Sequence, residues 1–486
     1  MSERVEHFST RWGMLAAMIG MAVGTGNIWR FPRVAATNGG GSFLVAWVVF
    51  LLLWSVPLIL VEFSMGKATR SGPIGAFARL MGKRYTWMGA WVAWTAIAIM
   101  FYYAVVAGWT IRFTLASLTG ELRGVEPGSV WEGFAYSWSA VAFQALALAI
   151  GIFIVARGVR GIEKATRLLI PSLLVLVIVL AIRAVTLPGA ERGLNFLFTP
   201  TWEGLSNPTV WLQALTQNAW DTGAGWGLIL TYAVYMRRRE DTALNAFVIG
   251  FGNNSVSLLA GIMVLCTVFS LMPDAATQIV GASNEGLTFI WVPQLFERMP
   301  AGSVFMVLFF AALFFAALTS LISMLELATR VLQDMGVTRS RAITVIGTVG
   351  FVLGVPSALY PHVFENQDFV WGVGLMVSGL FFAAAVLRHG VTKFRESFIN
   401  ITDSDIRVGA WWDWAIRLVV VQALVLIAWW FMQVWADDRW GRFGWANMAL
   451  QWGIALAVFL TLNAWMARHT KVMVPDDDEN PILSIP

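Results

Sequence analysis

An apolar segment near the start of the chain, residues 12–36, is long enough to cross a bilayer but is interrupted in its middle. The interruption runs from Gly20 to Asn27 and contains three glycines. Glycine weakens a helix, and backbone groups that are freed inside the hydrocarbon core find no water to bond. The freed carbonyls and amides therefore need another partner, and an ion or a polar solute can supply it.

The composition of the rest of the chain is typical of a multi-pass membrane protein. Of the 486 residues, 58% are hydrophobic and 13% are charged, whereas a soluble chain carries about 25% charge. The modest net charge of +4 disfavours nucleic acid as a partner, so the bilayer is the expected one. The four scattered histidines form no metal-ligand pattern, and the single Cys266 has no partner for an intrachain disulfide.

Apolar segments of about 20 residues predict twelve spans. They cover residues 12–36, 42–66, 88–119, 138–156, 165–186, 211–236, 243–272, 303–332, 341–355, 369–387, 412–435 and 445–467. Lysine and arginine cluster after every second span, so by the positive-inside rule these loops and both termini are cytoplasmic. We expect these basic residues, Arg330 among them, to have no role beyond topology.

A second interrupted span lies five crossings after the first. Residues 217–227 are again rich in glycine and include a buried acid, Asp221. Because five is odd, two five-span halves face opposite ways across the membrane, and interrupted helices at matching positions indicate a transporter binding site. We therefore expect an all-α membrane protein of about 12 helices with two inverted five-helix repeats and broken helices 1 and 6. The repeats would occupy 1–186 and 187–390, followed by two helices in 391–470 and a cytoplasmic tail in 471–486.

Several motifs occur in order and at the spacing of one known family. They are Asn27-Ile28-Trp29-Arg30-Phe31-Pro32, Glu62-Phe63-Ser64-Met65-Gly66, Phe101-Tyr102-Tyr103, Gly225-Trp226-Gly227, Leu318-Thr319-Ser320 and Asp368-Phe369-Val370-Trp371-Gly372. In these motifs the chain resembles the neurotransmitter:sodium symporter family, whose bacterial members import amino acids. The resemblance implies the leucine-transporter fold, a multi-pass location in a bacterial inner membrane and two Na⁺ sites.

The resemblance places the second sodium site between spans one and eight. It implies ligation by the carbonyls of Gly20, Val23 and Ala316 and by the hydroxyls of Thr319 and Ser320. Sodium is a hard cation that prefers oxygen ligands, and broken helices expose carbonyl oxygens. The alternative is that the two hydroxyls only bond back to their own helix, as is common in membrane helices.

The first sodium site would use the Ala22 carbonyl, Asn27, Asn253 and Asp221, where the leucine transporter carries threonine instead of the acid. A buried carboxylate should face a cation or a water-filled cavity. Asp221 either ligates sodium directly, supplies the fixed negative charge that chloride supplies in chloride-dependent relatives, or is a structural acid. Glu62 is expected to be structural and to bond amides freed by the break in span six.

The neighbours of Asp221 favour its role as a substitute for chloride. Gln217, Asn253 and Ser257 fall where chloride-dependent relatives place their chloride contacts, while the tyrosine of those relatives is replaced by Trp47. We therefore expect transport that is coupled to sodium and has no chloride requirement.

The substrate is expected between the two breaks. Exposed amides at Gly24, Thr25 and Gly26 begin a half-helix, whose N-terminus favours an anionic group. Gly24 leaves room for a substrate carboxylate, whereas monoamine-carrying relatives have an aspartate at this position. The resemblance implies a substrate site formed by Ala22, Gly24, Thr25, Gly26, Ile99, Tyr103, Trp220, Gly223, Trp226, Ser320 and Met324. These residues favour a neutral apolar or aromatic amino acid, although aromatic side chains also serve commonly as packing.

Two gates are expected, one on each side of the substrate. Arg30 and Asp368 would form a water-bridged pair on the extracellular side, with Trp220 as an aromatic lid, because a partly hydrated pair is weak enough to open. Tyr235 and Asp334 match the cytoplasmic gate of the family.

The arginine partner of the cytoplasmic gate is open, because Val5 occupies the expected position and Arg4 is one residue early. Alternating access would then follow from rocking of spans one, two, six and seven against three, four, eight and nine, as the family fold implies. Other interpretations are a carrier of another small zwitterion, such as a betaine or taurine, or an ion channel. An enzyme is disfavoured because no metal cluster or nucleophile and base pair is visible.

Overall fold

The computed structural model describes residues 6–126, 128–237, 240–401, 405–436 and 441–470. Within these ranges the regular structure is helical and contains no strand. Arg4, Val5 and the acidic tail at 476–479 lie outside them, so the predictions made for these residues are not addressed by the structure.

Ten of the predicted spans are continuous helices that are long and apolar enough to cross a membrane, in the part of the chain that is described. They are Gly41–Thr69, Lys83–Thr119, Trp138–Val155, Gly158–Val185, Thr242–Leu271, Gly302–Asp334, Arg339–Leu359, Pro361–His389, Trp411–Trp435 and Gly444–His469. The two predicted spans that are missing from this set, the first and the sixth, are those with the glycine interruptions. Twelve crossings with breaks in spans one and six are therefore confirmed.

Span one consists of Arg11–Ala22 and, after a break at residues 23–24, of a π-helical turn at Gly26–Arg30 that continues into Phe31–Thr37. Val23 is extended, with ψ 102°, and ends the first half. The π-helical turn ends two residues before Pro32, whose ring nitrogen cannot donate to the preceding turn.

Span six consists of Pro208–Asp221 and Leu228–Ala233. Gly223, Gly225 and Gly227 in the break have φ angles of 70°, 87° and 78°, which residues with a side chain rarely adopt. The sequence thus forms a helix up to Asp221 and cannot continue it through the three glycines.

Glu62 of span two spans the break in span six. Its two carboxylate oxygens accept hydrogen bonds from the amides of Gly225, at 2.6 Å, and Leu230, at 3.1 Å. Spans two and six touch closely here, because a Cβ atom added at Gly66 would lie 2.2 Å from the Leu230 carbonyl oxygen. Glu62 therefore supplies the partner that the interrupted helix lacks, as expected from its position in the sequence.

Short helices cover the connections between spans. They are Pro73–Met81, Ser129–Phe134, Ala190–Phe198, Trp202–Ser206, Ala276–Gly281, Val292–Glu297 and Val391–Phe394. The connection that contains Ala276–Gly281 and Val292–Glu297 folds over the end of the bundle opposite the N-terminal segment. Arg33 holds it there by donating to Asn284 Oδ1 at 2.8 Å.

Candidate functional site

A cavity lies between the breaks of spans one and six. All eleven residues predicted for the substrate site line it: Ala22, Gly24, Thr25, Gly26, Ile99, Tyr103, Trp220, Gly223, Trp226, Ser320 and Met324. Met21, Asn284 and Glu285 also line it, although the sequence pattern did not indicate them. Met21 precedes the break, and Asn284 and Glu285 belong to the connection between spans seven and eight, so none of the three residues is part of a motif.

The second half of span one begins at Thr25, directly after the break, and its first amide faces Tyr103. The amide and hydroxyl of Thr25 each donate to Tyr103 Oη at 3.3 Å, and the Gly24 amide donates to Asn27 Oδ1 at 2.7 Å. A Cβ atom added at Gly24 would lie 2.8 Å from Ser320 Oγ and 3.2 Å from Tyr103 Oη. A helix N-terminus with converging hydroxyls is suited to hold a carboxylate.

Buried oxygens crowd together beside this N-terminus. Asn27 Nδ2 donates to Asn253 Oδ1 at 2.9 Å. The same Asn253 atom lies 3.1 Å from the Ala22 carbonyl oxygen and 2.9 Å from the Asp221 carbonyl oxygen. With the amide turned over, its nitrogen would donate to both carbonyls, whereas with the oxygen facing them a cation is needed to offset the repulsion. Crowded neutral oxygens are the ligands that sodium prefers.

The Asp221 carboxylate lies next to these oxygens and is 4% exposed. One carboxylate oxygen accepts from Gln217 Nε2 at 3.1 Å and from Ser257 Oγ at 3.2 Å. Its other oxygen has no hydrogen-bond partner among the described residues, and neither has Gln217 Oε1. The structure thus brings Gln217, Asp221, Asn253 and Ser257 together, as the sequence predicted, and leaves a buried acceptor that needs a cation or water.

The predicted second sodium site lies where span one meets span eight. A Cβ atom added at Gly20 would lie 3.2 Å from Thr319 Cβ and 2.7 Å from Ile170 Cδ1. The Thr319 hydroxyl donates to the carbonyls of Phe315, at 3.0 Å, and Ala316, at 3.1 Å. The hydroxyl therefore does bond back to its own helix, and its lone pairs stay available to a cation. The remaining predicted members, Val23 and Ser320, are buried.

The residues predicted for the extracellular gate lie around Trp220, at the end of the cavity opposite the N-terminal segment. The Arg30 guanidinium lies over the Trp220 ring, 4.4 Å from its centre. The ring also packs on Gly372, where an added Cβ atom would lie 1.7 Å from a ring carbon. Arg30 and Asp368 line the same cavity, but the ion pairs within 4.0 Å among the described residues do not include this pair. A cation stacked on an aromatic ring is stabilised without a carboxylate contact.

The opposite end of the cavity is sealed on the side that carries the N-terminal segment. The Tyr235 hydroxyl donates to Glu326 Oε1 at 2.6 Å, and Glu326 forms an ion pair with Arg339. Arg339 also donates to the Val155 carbonyl at 2.7 Å, and the Phe8 amide donates to the Tyr235 carbonyl at 3.2 Å. Spans four, six, eight and nine and the N-terminal segment are thus fastened together below the cavity.

Asp334 of this seal has its ion-pair partner on its own helix. Arg330 Nη2 lies 2.8 Å from Asp334 Oδ1, and the Gly72 amide donates to Asp334 Oδ2 at 2.6 Å. The expectation that Arg330 serves only topology is therefore wrong, since it is 2% exposed and paired. The spacing of Glu326, Arg330 and Asp334, four residues apart on one helix face, was the signal that could have indicated this.

Two discontinuous helices whose breaks meet at a buried cavity are typical of a secondary transporter. The family model of the sodium:neurotransmitter symporter family matches residues 5–133 and 134–473, and the chain belongs to this family. The protein is thus a sodium-dependent symporter of that family.

Relatives with known sequences and structures agree with this assignment. An uncharacterized sodium-dependent transporter of Methanocaldococcus jannaschii is 30% identical over 450 residues, covering 87% of this chain and 89% of the relative. A sodium-dependent serotonin transporter of Drosophila melanogaster is 28% identical over 456 residues, covering 82% and 73%. The crystal structure of MhsT in complex with L-phenylalanine is 30% identical with a TM-score of 0.77, covering 88% of this chain and 99% of MhsT. The predicted fold class is confirmed.

Proposed function

We propose that this protein imports a neutral apolar or aromatic amino acid together with sodium across a bacterial inner membrane. The side that carries the N-terminal segment would face the cytoplasm, in agreement with the basic residues that follow every second span. The observation that supports the proposal most strongly is the buried Asp221 carboxylate oxygen without a donor among the described residues, next to the Ala22 and Asp221 carbonyls and the half-helix N-terminus at Gly24. An ion and a carboxylate would be neighbours in such a site.

Two sodium ions are proposed, one in each oxygen cluster. At the first site, the substrate carboxylate would complete the coordination offered by Ala22, Asn27, Asn253 and Asp221. A ligand that becomes part of an ion site binds with a free energy coupled to that of the ion, and the coupling is reciprocal. Sodium would therefore raise the affinity for the amino acid, and the amino acid would raise the affinity for sodium.

Chloride would not be needed, because Asp221 would supply a fixed negative charge at the same place. Its second carboxylate oxygen has no donor among the described residues, so its charge is available to the ion site. The Trp47 side chain, which replaces the tyrosine of chloride-dependent relatives, packs on Phe31 with ring centres 4.6 Å apart.

The apolar lining of the cavity supports the amino acid class. Ile99, Trp226 and Met324 offer apolar or aromatic contact surface, and MhsT, which has a similar fold, was crystallised with L-phenylalanine. Methionine side chains adapt their shape readily, so Met21 and Met324 would let the cavity fit side chains of different size.

A ligand-binding screen tests the proposed function. The purified protein is heated with a panel of amino acids, betaine and taurine, each in sodium or potassium chloride. We expect a neutral apolar or aromatic amino acid to raise the melting temperature in sodium only, because a ligand that binds the folded state stabilises it, by about 2.7 kcal/mol at 100 times its dissociation constant. Stabilisation by betaine or taurine alone would show that the substrate is a different zwitterion and not an amino acid. Stabilisation that is equal in potassium would refute sodium coupling.

Substitution of Gly223 should narrow the range of substrates. A Cβ atom there would lie 2.9 Å from Met21 Sδ, and the φ of 70° disfavours any side chain. We expect Gly223→Ser to push Met21 into the cavity and to weaken uptake of phenylalanine about tenfold more than uptake of alanine, since overpacking costs about 1–3 kcal/mol. Competition of both amino acids against a labelled substrate measures this ratio. Met21→Ala in the same background should restore part of it, and an unchanged ratio would contradict the assignment of Met21 to the pocket wall.

A further inference from the structure

We propose that the cytoplasmic gate of this protein is held shut by the span-eight clasp, in which the Arg330–Asp334 ion pair grips the backbone of residues 70–72 at the end of span two. The inference rests on the proposed function above and identifies the residues that close its inner gate. In this proposal the cation that pairs with Asp334 is Arg330, on the same helix, and not an arginine of the N-terminal segment.

Each charge of the span-eight clasp contacts both its partner and the main chain of residues 70–72, which directly follow span two. Asp334 Oδ1 lies 2.8 Å from Arg330 Nη2, while its Oδ2 accepts from the Gly72 amide at 2.6 Å. Arg330 Nη2 in turn donates to the Arg70 carbonyl at 3.2 Å. Both charged side chains are almost fully buried, so these bonds are made away from water. Charge-assisted hydrogen bonds are the strong ones, and one carboxylate and one guanidinium thus hold both ends of a three-residue turn.

The turn at residues 70–72 has an unusual backbone conformation. Arg70 has a left-handed backbone with φ 53°, which is uncommon for a residue with a side chain. In this conformation its carbonyl faces Arg330, and its guanidinium donates to the Val234 carbonyl at 2.8 Å and to the Met236 carbonyl. Those carbonyls follow the inner half of span six. The turn therefore connects span six to span eight, and unfavourable backbone conformations of this kind occur where the surroundings hold the chain for a function.

The location of the Arg330–Asp334 ion pair determines which bonds break when the cytoplasmic side opens. Spans two and six belong to the proposed moving bundle, whereas span eight belongs to the scaffold. When the bundle moves away, the bonds to Gly72 and Arg70 break, but Arg330 and Asp334 stay together on span eight. An ion pair between bundle and scaffold would instead leave two separated charges, which is unfavourable in a buried setting. The span-eight clasp opens without separating its charges, so an N-terminal arginine is not required.

A single cysteine reports on the gate without knowledge of the substrate. Ser323 lies seven residues before Arg330 on the same face of span eight, is buried and bonds Tyr232 Oη at 2.9 Å. Ser323→Cys in a Cys266→Ala background leaves one thiol, since Cys266 is the only cysteine of the chain. A hydrophilic maleimide reaches this thiol only when the cytoplasmic side is open, and mass spectrometry measures the reaction rate.

Two variants break the span-eight clasp in different ways. Arg330→Gln removes the cation. Gly72→Pro keeps both charges, and the φ of −62° at Gly72 suits proline. It removes the amide hydrogen and places ring carbons against Asp334 Oδ2, which would lie 3.1 Å from the new Cβ atom, so it displaces the carboxylate from the turn. We expect each to speed maleimide labelling about tenfold, as loss of a buried charge-assisted bond implies. Arg4→Gln, which removes the alternative cation, and Arg341→Gln, which removes an exposed arginine at the start of span nine, should stay within about twofold of the parent.

Two further measurements distinguish an effect on the gate from loss of the fold and from failure of the proposed sodium coupling. Thermal melting identifies variants that have lost the fold, and only folded variants count. The proposal is overturned if Arg4→Gln speeds labelling as much as Arg330→Gln, or if a folded Arg330→Gln or Gly72→Pro labels at the parent rate. A parent rate that does not respond to sodium would instead contradict the proposed sodium coupling, because this comparison does not depend on the clasp variants.

Discussion

Gly24→Asp should abolish amino acid uptake. The new side chain would start 2.8 Å from Ser320 Oγ and 3.2 Å from Tyr103 Oη, where the substrate carboxylate is proposed to lie. It would add both a steric clash and a second negative charge in a buried site, so we expect a loss of at least about 100-fold in uptake, or ~2.8 kcal/mol. Uptake of the labelled substrate into proteoliposomes with an inward sodium gradient measures the loss.

Gly24→Ala is the matched control, because it adds the Cβ atom without the charge. Ser320 Oγ can rotate away from a methyl group, so a loss of about tenfold is expected, within the range for overpacking. Equal losses in the two variants would show that crowding alone matters and would argue against a carboxylate at the half-helix N-terminus. Normal uptake by Gly24→Asp would place the substrate elsewhere.

Asp221→Ser should make uptake dependent on chloride. In the parent, exchange of chloride for gluconate should leave uptake unchanged, because the carboxylate carries the negative charge. The serine variant loses that charge and gains space beside Gln217 and Ser257, whose polar groups already point at this position. We expect uptake to fall about 100-fold in gluconate, as loss of a buried partner for a cation costs several kcal/mol, and to recover in part in chloride. Uptake in the two salts, with sodium constant, measures the effect.

Glu62→Gln controls for the loss of any buried acid. Glu62 accepts two main-chain hydrogen bonds at the break of span six, so its replacement should lower uptake and the melting temperature by the same amount in both salts. Recovery of Glu62→Gln in chloride would show that the response is not specific to the ion site. Loss of uptake by the parent protein in gluconate would refute the proposal that the Asp221 carboxylate supplies the negative charge in place of chloride.

The breaks in spans one and six could be predicted from the sequence because their cause is local. Gly24 lowers the helix propensity of span one, and Gly223 is followed by two more glycines within four residues. The helix bounds were less accurate. Span nine was predicted to end at residue 355, but the helix continues to Leu359 through Pro356. Its proline interrupts one hydrogen bond, and packing in the bundle tolerates that loss.

The gate partners could not be predicted in the same way, because they depend on contacts between distant segments. Nothing near Gly72 in the sequence indicates that its amide meets Asp334, which is 262 residues away. Arg330 was assigned to topology because basic residues near the end of a span usually mark the cytoplasmic side. The four-residue spacing of Arg330 and Asp334 is compatible with an ion pair, but the fold was needed to show that the helix extends to Asp334 and that both side chains are buried. Asn284 and Glu285 were missed for the same reason, since a connection becomes part of a cavity only through tertiary structure.

The carboxylate that spans the gap in the sixth crossing also bears on how fast a transport cycle can run. Glu62 and the two amides that it holds belong to neighbouring segments that would travel as one body, so the gap keeps its shape while that body tilts. No turn of helix has to melt and form again in each cycle, so the free-energy cost of nucleating a helical turn is avoided. Turnover would then be limited by the release of contacts at the two ends of the pathway rather than by refolding at its centre.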